Sequence, residues 1–263
     1  MGAVALAVVC VALPASSLAV PITLSDVNSQ LVIDPTSPAG MNSWVVDGVN
    51  HLTQQWFWYR AGPMGMEESV STLQLVSAVL SDGDLDPGHE RLAVTYAGLG
   101  FTLQLDLTLT GGAVGSGASD LLEVISFQKT GQEDLEFHFF QYADFDLNGD
   151  ALDDSVAITG GNTAQQSDGS VISESVVTGP PDHHQVDVFS NILDALNDSD
   201  VDDLNDASGP VRDDNLTWAF QWDFTLGDDG VIISKNKNLV PEPGALTVLV
   251  AGTLLTLLRR KRK

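Results

Sequence analysis

The chain has 263 residues, with 36 acids against 11 lysines and arginines and a formal charge of −25. A surface so acidic repels nucleic acid and anionic lipid and attracts divalent cations. Cys10 is the single cysteine, so an internal disulfide is excluded and the fold must be held by its core or by bound ions.

In chain order, the first segment is almost continuously apolar and closes on Ser17-Leu18-Ala19, a small-x-small pattern suited to signal peptidase. This predicts a signal peptide over residues 1–19, cut after Ala19, with the terminal amine as its only positive group. Cys10 follows Val9, where a lipobox needs a small residue, so a lipoprotein is disfavoured. Residues 20–238 then form one acidic passenger that retains Arg60, Arg91, Lys129, Arg212, Lys235 and Lys237 and a formal charge of −29. It is long enough for a single sizeable core.

The passenger has a strong β pattern. Residues 55–60 (QWFWYR) are aromatic on both faces, as a central sandwich strand would be. Residues 66–80 favour a strand, through their β-branched residues and the Leu73/Leu75 alternation. Further strands are predicted at 91–96, 101–110, 121–128, 135–142, 156–159, 171–177, 218–224 and 231–234. Phe101, Leu103, Leu105, Leu107 and Leu109 recur every second residue, which places them on one sheet face. Residues 111–120 and 160–169 read as Gly- and Asp-rich connectors. Residues 190–196 suit one short helical turn, capped by Asp187 or Ser190, and 197–214 an acidic connector. The prediction is all-β: a single antiparallel β-sandwich, with a jelly roll among its forms.

The most chemical-looking motif is Asp144-x-Asp146-x-Asn148-Gly149-Asp150, continued by Asp153 and Asp154. Oxygens at alternate positions, with a Gly for the sharp turn, suit calcium. Ser155 stands where an EF-hand loop has its bidentate Glu, and no flanking helices are evident in the sequence, so an EF-hand is disfavoured. Two readings remain: a calcium loop between strands, completed by Asp153 or Asp154, and a tight acidic turn whose side chains cap their own backbone. The acidic runs 82–88 and 198–206 are too irregular to assign a coordination shell.

Catalytic patterns are weak. His51, His89, His138, His183 and His184 show no metal-ligand spacing, and there is no nucleophile elbow or phosphate-binding loop. Trp56 and Trp58 share one strand face, as do Trp218 and Trp222. Such faces belong to a core or stack on sugar rings, and the core reading is preferred.

The chain ends on Pro241-Glu242-Pro243, an uncharged run over 244–258, and then Arg259, Arg260, Lys261, Arg262 and Lys263. The run predicts a short hydrophobic helix that engages a bilayer, with the cations as a cytoplasmic stop signal. Residues 239–263 resemble the sorting signal of bacterial PEP-CTERM proteins. The resemblance implies an exosortase that reads this tail, processing near Pro241-Glu242-Pro243, transient anchoring in the inner membrane, and delivery to the cell surface or extracellular matrix. It also implies association with exopolysaccharide or biofilm. The expectation is therefore an exported, non-enzymatic surface protein. The alternatives are a calcium-dependent carbohydrate-binding module and a secreted hydrolase.

Overall fold

A computed structural model describes residues 21–62, 65–83 and 87–242. The predicted signal peptide with Ala19, the 244–258 helix, Pro243 and the terminal cations Arg259, Arg260, Lys261, Arg262 and Lys263 lie outside these residues. The chain opens with β1 (Ile22–Asp26), β2 (Ser29–Asp34), β3 (Gly40–Val46), β4 (Val49–Asn50) and β5 (Gln54–Ala61). After β6 (Glu68–Ser69) and a 3₁₀ turn come β7 (Gln74–Ser81), β8 (Arg91–Gly98), β9 (Phe101–Gly111), β10 (Ser119–Lys129) and β11 (Leu135–Asp144). Then follow β12 (Asp154–Thr159), β13 (Thr163–Asp168), β14 (Ser170–Thr178), β15 (His183–Val188), α1 (Asn191–Ala195), β16 (Val211–Asp214), β17 (Leu216–Leu226) and β18 (Val231–Pro241).

These strands form two nine-stranded sheets. The first runs β1-β2-β3-β5-β11-β17-β15, with β4 beside β3 and β6 beside β5; the second runs β16-β12-β13-β14-β18-β10-β9-β8-β7. Every pairing is antiparallel except the short parallel contact of β3 with β5. The all-β sandwich is thus as expected, though each sheet exceeds the eight strands that make a whole jelly roll. Among the described residues no helix is long and apolar enough to cross a membrane.

Period-two alternation builds the core. In β9 every second side chain from Phe101 to Leu109 is buried, and in β17 Trp218 meets Phe145 in a stacked pair with ring centroids 5.2 Å apart. Between the sheets Phe57 stacks on Phe139 at 5.4 Å, and Phe127 meets Phe139 edge-on at 5.0 Å. Sheet one is also covered on its outer side: Trp56, Trp58, Phe140 and Tyr142 are fully buried there. Gly40, at φ +52°, lets the backbone approach Trp56; a Cβ would stand 2.1 Å from the indole ring.

Several details differ from expectation. Residues 66–80 are not one strand: β6, a turn at Val70–Thr72 and β7 replace it, because Ser69 accepts from Ser71 N and folds the chain over. The 160–169 segment is no connector but contains β13, whose polar sequence hid it; only Ala164 and Gln166 are buried. The predicted helix forms as α1, but neither Asp187 nor Ser190 caps it through its backbone amides. Ser190 instead donates to Asp194 at 2.5 Å, and Asp187 accepts from the Asn191 side chain at 3.0 Å.

Four charges sit between the sheets. Glu123 (β10), Glu174 (β14), Lys235 and Lys237 (β18) are all fully buried. Register places Glu123 opposite Lys235 and Glu174 opposite Lys237. Lys235 Nζ lies 2.8 Å from Glu123 and 3.1 Å from Glu174, and Lys237 Nζ lies 3.2 Å from Glu174. The facing sheet completes the set: Gln55 donates to Glu123 at 2.9 Å, Gln141 to Glu174 at 2.9 Å and Trp218 Nε1 to Glu174 at 3.0 Å. Burial opposes ionisation of Glu174, yet the two lysines outweigh it and hold the carboxyl at about 2. Burial prevails at Lys235, which is lowered, whereas Glu123 and Glu174 prevail against it at Lys237, which is raised.

Candidate metal centre

The 144–154 motif links the two sheets, since β11 belongs to one and β12 to the other. Asp144 closes β11 and Asp154 opens β12, and both are buried, at 1% and 0% exposure. Between them the chain turns through Asn148 at φ 60° and Gly149 at φ 75°, and again at Asp153 at φ 67°. Asn, Gly and Asp tolerate this left-handed geometry best. Phe145 and Leu147 are fully buried and fix the turn to the core.

The six candidate ligands divide into two groups. Asp144, Asp146 and Asp154 turn inward. Oδ1 of Asp144, Oδ1 of Asp146 and both oxygens of Asp154 are buried without a hydrogen-bond partner, a costly state for a carboxylate. The Gln166 amide lies beside Asp154 but donates at 2.6 Å to Phe145 O. Burial, followed by the neighbouring charges of Asp146 and Asp154, raises Asp144 to about 7. Burial likewise raises Asp154 to about 7, with Asp168, Asp146 and Asp150 adding to it. The Tyr142 hydroxyl is buried beside Asp144 and Thr217, and burial raises it.

The other three candidates turn outward. Asn148 Nδ2 donates to Asp168 O, and its Oδ1 accepts from Ser170 Oγ at 2.9 Å, so its side chain braces the β13–β14 hairpin. Asp150 Oδ1 accepts from Leu152 N at 3.1 Å, the self-capping expected of a plain acidic turn. Asp153 is exposed. Asp150, Asp153 and Glu242 all repel Asp168, whose carboxyl is raised, chiefly by burial. The two sequence readings thus bear on different residues: Asp144, Asp146 and Asp154 are the candidates for holding a cation, and Asp150 self-caps as a plain acidic turn does.

A hard cation fits the inward set because it supplies the partners that these oxygens lack. Calcium takes carboxylate, hydroxyl and water oxygens in flexible geometry. The inward oxygens are spaced more widely than those of His138, Asp203 and Asp223, which lie within 4.8 Å of one another, so closing on an ion requires side-chain rotation. That second group is not a comparable vacancy: the Gln221 amide occupies its centre, donating to Asp203 at 2.8 Å and Asp223 at 2.9 Å.

This His/Asp group serves instead to fasten the 197–210 segment across the outer face of sheet one. Arg60, itself buried, binds Glu67 at 2.7 Å and Asp203 at 3.0 Å. His138 Nδ1 lies 2.6 Å from Asp223, and His183 Nδ1 3.1 Å from Asp206. The Asp206 bond raises His183. Adjacent His184 reaches Ser208 at 2.8 Å. The acidic connector is therefore an ordered cover, with Leu204 buried beneath it and β16 at its end. Its network was not legible in the sequence, because His138, Arg60, Asp203 and Asp223 come from four distant segments.

All five tryptophans are buried, at 3% exposure or less, so no tryptophan face is open to sugar. A cleft of about 720 Å³ lies elsewhere, between Tyr59, Met66, Leu99 and Leu135, and is edged by Glu68, Glu133 and Glu136. Pro241 ends β18 opposite Ser170, and Glu242 N donates to Gly169 O at 3.3 Å; of the predicted sorting signal, residues 239–242 lie within the described residues.

No family model matches the sequence, and a search of curated proteins found no match. The fold is similar to part of a bacterial glucoamylase solved with acarbose, with a TM-score of 0.55 at 8% identity over 87% of this chain. The chain spans 32% of that enzyme's length. It is also similar to a protein of Escherichia coli K12 provisionally described as an aldose 1-epimerase, with a TM-score of 0.51 at 12% identity, covering 84% of this chain and 98% of that one. At these identities the likeness extends to the fold alone.

Proposed function

We propose that this chain is an exported, non-enzymatic surface or matrix protein whose acidic β-sandwich binds calcium at the turn between β11 and β12. The observation that supports calcium is the group of unpartnered oxygens on Asp144, Asp146 and Asp154, two of these residues almost wholly buried. An ion held there ties one sheet to the other. Delivery rests on the sequence: the apolar first segment, and a tail resembling the PEP-CTERM signal that an exosortase processes.

Calorimetric titration of the full chain with calcium, and melting with and without chelator, test the site. Calcium should raise Tm and bind once; at a hundredfold excess over Kd the stabilisation is about 2.7 kcal/mol. Asp154→Asn should abolish both effects. An unchanged Tm and no binding heat would overturn the proposal. Delivery is tested by the intact mass of the protein from cells with and without the exosortase. Recovery of the Arg259–Lys263 end from both would refute processing.

A second reading, sugar binding, is favoured by the Tyr59 cleft, whose apolar floor and carboxylate edge suit a pyranose ring and its hydroxyls. The solved neighbours are described as sugar-acting enzymes, so the assay pairs a glycan array with a test for turnover of any sugar bound. Turnover would replace the non-enzymatic reading by that of a secreted hydrolase or epimerase.

A further inference from the structure

We propose that the cation site controls how firmly the C-terminal end of the sandwich is held, so that occupancy at Asp144, Asp146 and Asp154 fastens Glu242 to the sheet. The inference rests on the calcium reading above and adds a mechanical consequence to it.

The route is a short chain of hydrogen bonds. Asn148 sits within the cation turn, four residues after Asp144. Its amide side chain takes both partners from one place, the tip of the β13–β14 hairpin: it donates to Asp168 O and accepts from Ser170 Oγ at 2.9 Å. Its backbone N–H is fixed from behind by His51 Nδ1 at 3.1 Å. Gly169, between those two hairpin residues, accepts the Glu242 N–H at 3.3 Å. Ser170 is also the residue opposite Pro241 in the β14–β18 ladder. The last backbone bond before Pro243 is therefore made to a hairpin tip whose position Asn148 sets.

Electrostatics acts in the same direction. Asp150, Asp153 and Glu242 surround Asp168 with like charge, so the hairpin tip and the chain end repel the turn unless something offsets them. A divalent ion among the inward carboxylates lowers the negative potential of the whole turn and lets it close on the hairpin. With the inward carboxylates mutually repelling, the turn loosens, Asn148 loses its fixed position and the Gly169–Glu242 bond opens more often. The Pro241 ring rests against Gly117, where a Cβ would stand 2.7 Å from it, so the chain end has a second, cation-independent contact and the response is graded rather than all-or-none.

Hydrogen exchange on the full chain tests this, with calcium binding measured in parallel by calorimetry. Calcium should slow exchange at Glu242 and at residues 168–172 roughly tenfold relative to chelator, within the usual span of coupling between sites. Exchange in β9, remote from the turn, should not change. Ser170→Ala removes the hydroxyl that holds Asn148 without touching an inward carboxylate. It should still bind calcium while losing most of the protection at Glu242. If calcium binds and Glu242 exchange is unaltered, the coupling is wrong and the calcium reading stands. Without calcium binding, both fall. Full protection retained in Ser170→Ala would overturn the route through the hairpin.

Discussion

Replacing Lys235 with Met should remove much of the domain's stability although it makes the core more apolar. Lys235 is one of four fully buried charges that sum to zero with Glu123, Glu174 and Lys237. It bridges both carboxylates, at 2.8 and 3.1 Å, and lies over the Phe57 ring at 4.9 Å. Methionine fills nearly the same volume, so packing changes little. What remains is one uncompensated negative charge between two sheets, and breaking a buried set in this way costs roughly 3–5 kcal/mol. For a domain of this size that is a fall in Tm on the order of 6–20 °C. Urea unfolding followed by tryptophan fluorescence is the assay, and it reports locally because the Trp218 indole is bonded to Glu174. The decisive comparison is Lys235→Met with Glu174→Gln, which returns the site to neutrality through the remaining Glu123–Lys237 pair. The double variant should be more stable than the sum of the single losses implies, by about 1–3 kcal/mol. A single variant costing under about 1 kcal/mol, or a strictly additive double, would refute the view of the four groups as one balanced unit.

Two further outcomes follow from the charges described. Glu174 is held at about 2, below its ordinary 4.5, so its stabilisation is present above about pH 4.5 and is lost as the pH falls through 2. The shift corresponds to about 3 kcal/mol, and urea midpoints between pH 6 and pH 2 should decline accordingly; a midpoint that holds flat to pH 2 contradicts the assignment. Arg60→Ala strands the buried Glu67 and frees Asp203. It should cost roughly 3–5 kcal/mol and speed hydrogen exchange across residues 197–210, whereas unchanged exchange there would show that the connector is held by its apolar contacts alone.

The legible parts of this fold were those where period two carried apolar side chains. β9, β10, β11 and β17 were all anticipated, because Phe, Leu, Ile and Trp alternate with polar residues along them. β13 was missed since its inward positions are Ala164 and Gln166. β1 to β3 were missed too, though Ile22/Leu24 and Leu31/Ile33 alternate, because each run is short and Pro35, Pro38 and Gly40 intervene. The buried quartet was hidden for a related reason. Glu123 stands between Leu121 and Ile125, and Lys235 and Lys237 between Ile233 and Leu239, all on inward positions. A charge at an inward position is a signal, but only pairing β10, β18 and β14 side by side makes the charges cancel. At the candidate site, spacing revealed the ligands as a class. It could not divide them into inward and outward groups, because that division depends on β11 and β12 entering different sheets.

The placement of the cations has a consequence for how the folded domain meets proteases and amine reagents. Lys235, Lys237 and Arg60 are enclosed, and the Lys129 side chain is only 7% exposed. Between Pro21 and Glu242 that leaves Arg91 and Arg212 as the cationic side chains open to solvent, both within paired strands β8 and β16. A trypsin-like protease, which needs such a side chain on a backbone it can draw out, finds almost no purchase on the native fold. Amine-directed crosslinkers find little more. Burying lysine as core thus gives a domain without disulfides durability of a chemical kind, since the residues by which it would be cut or captured are the ones holding its sheets together.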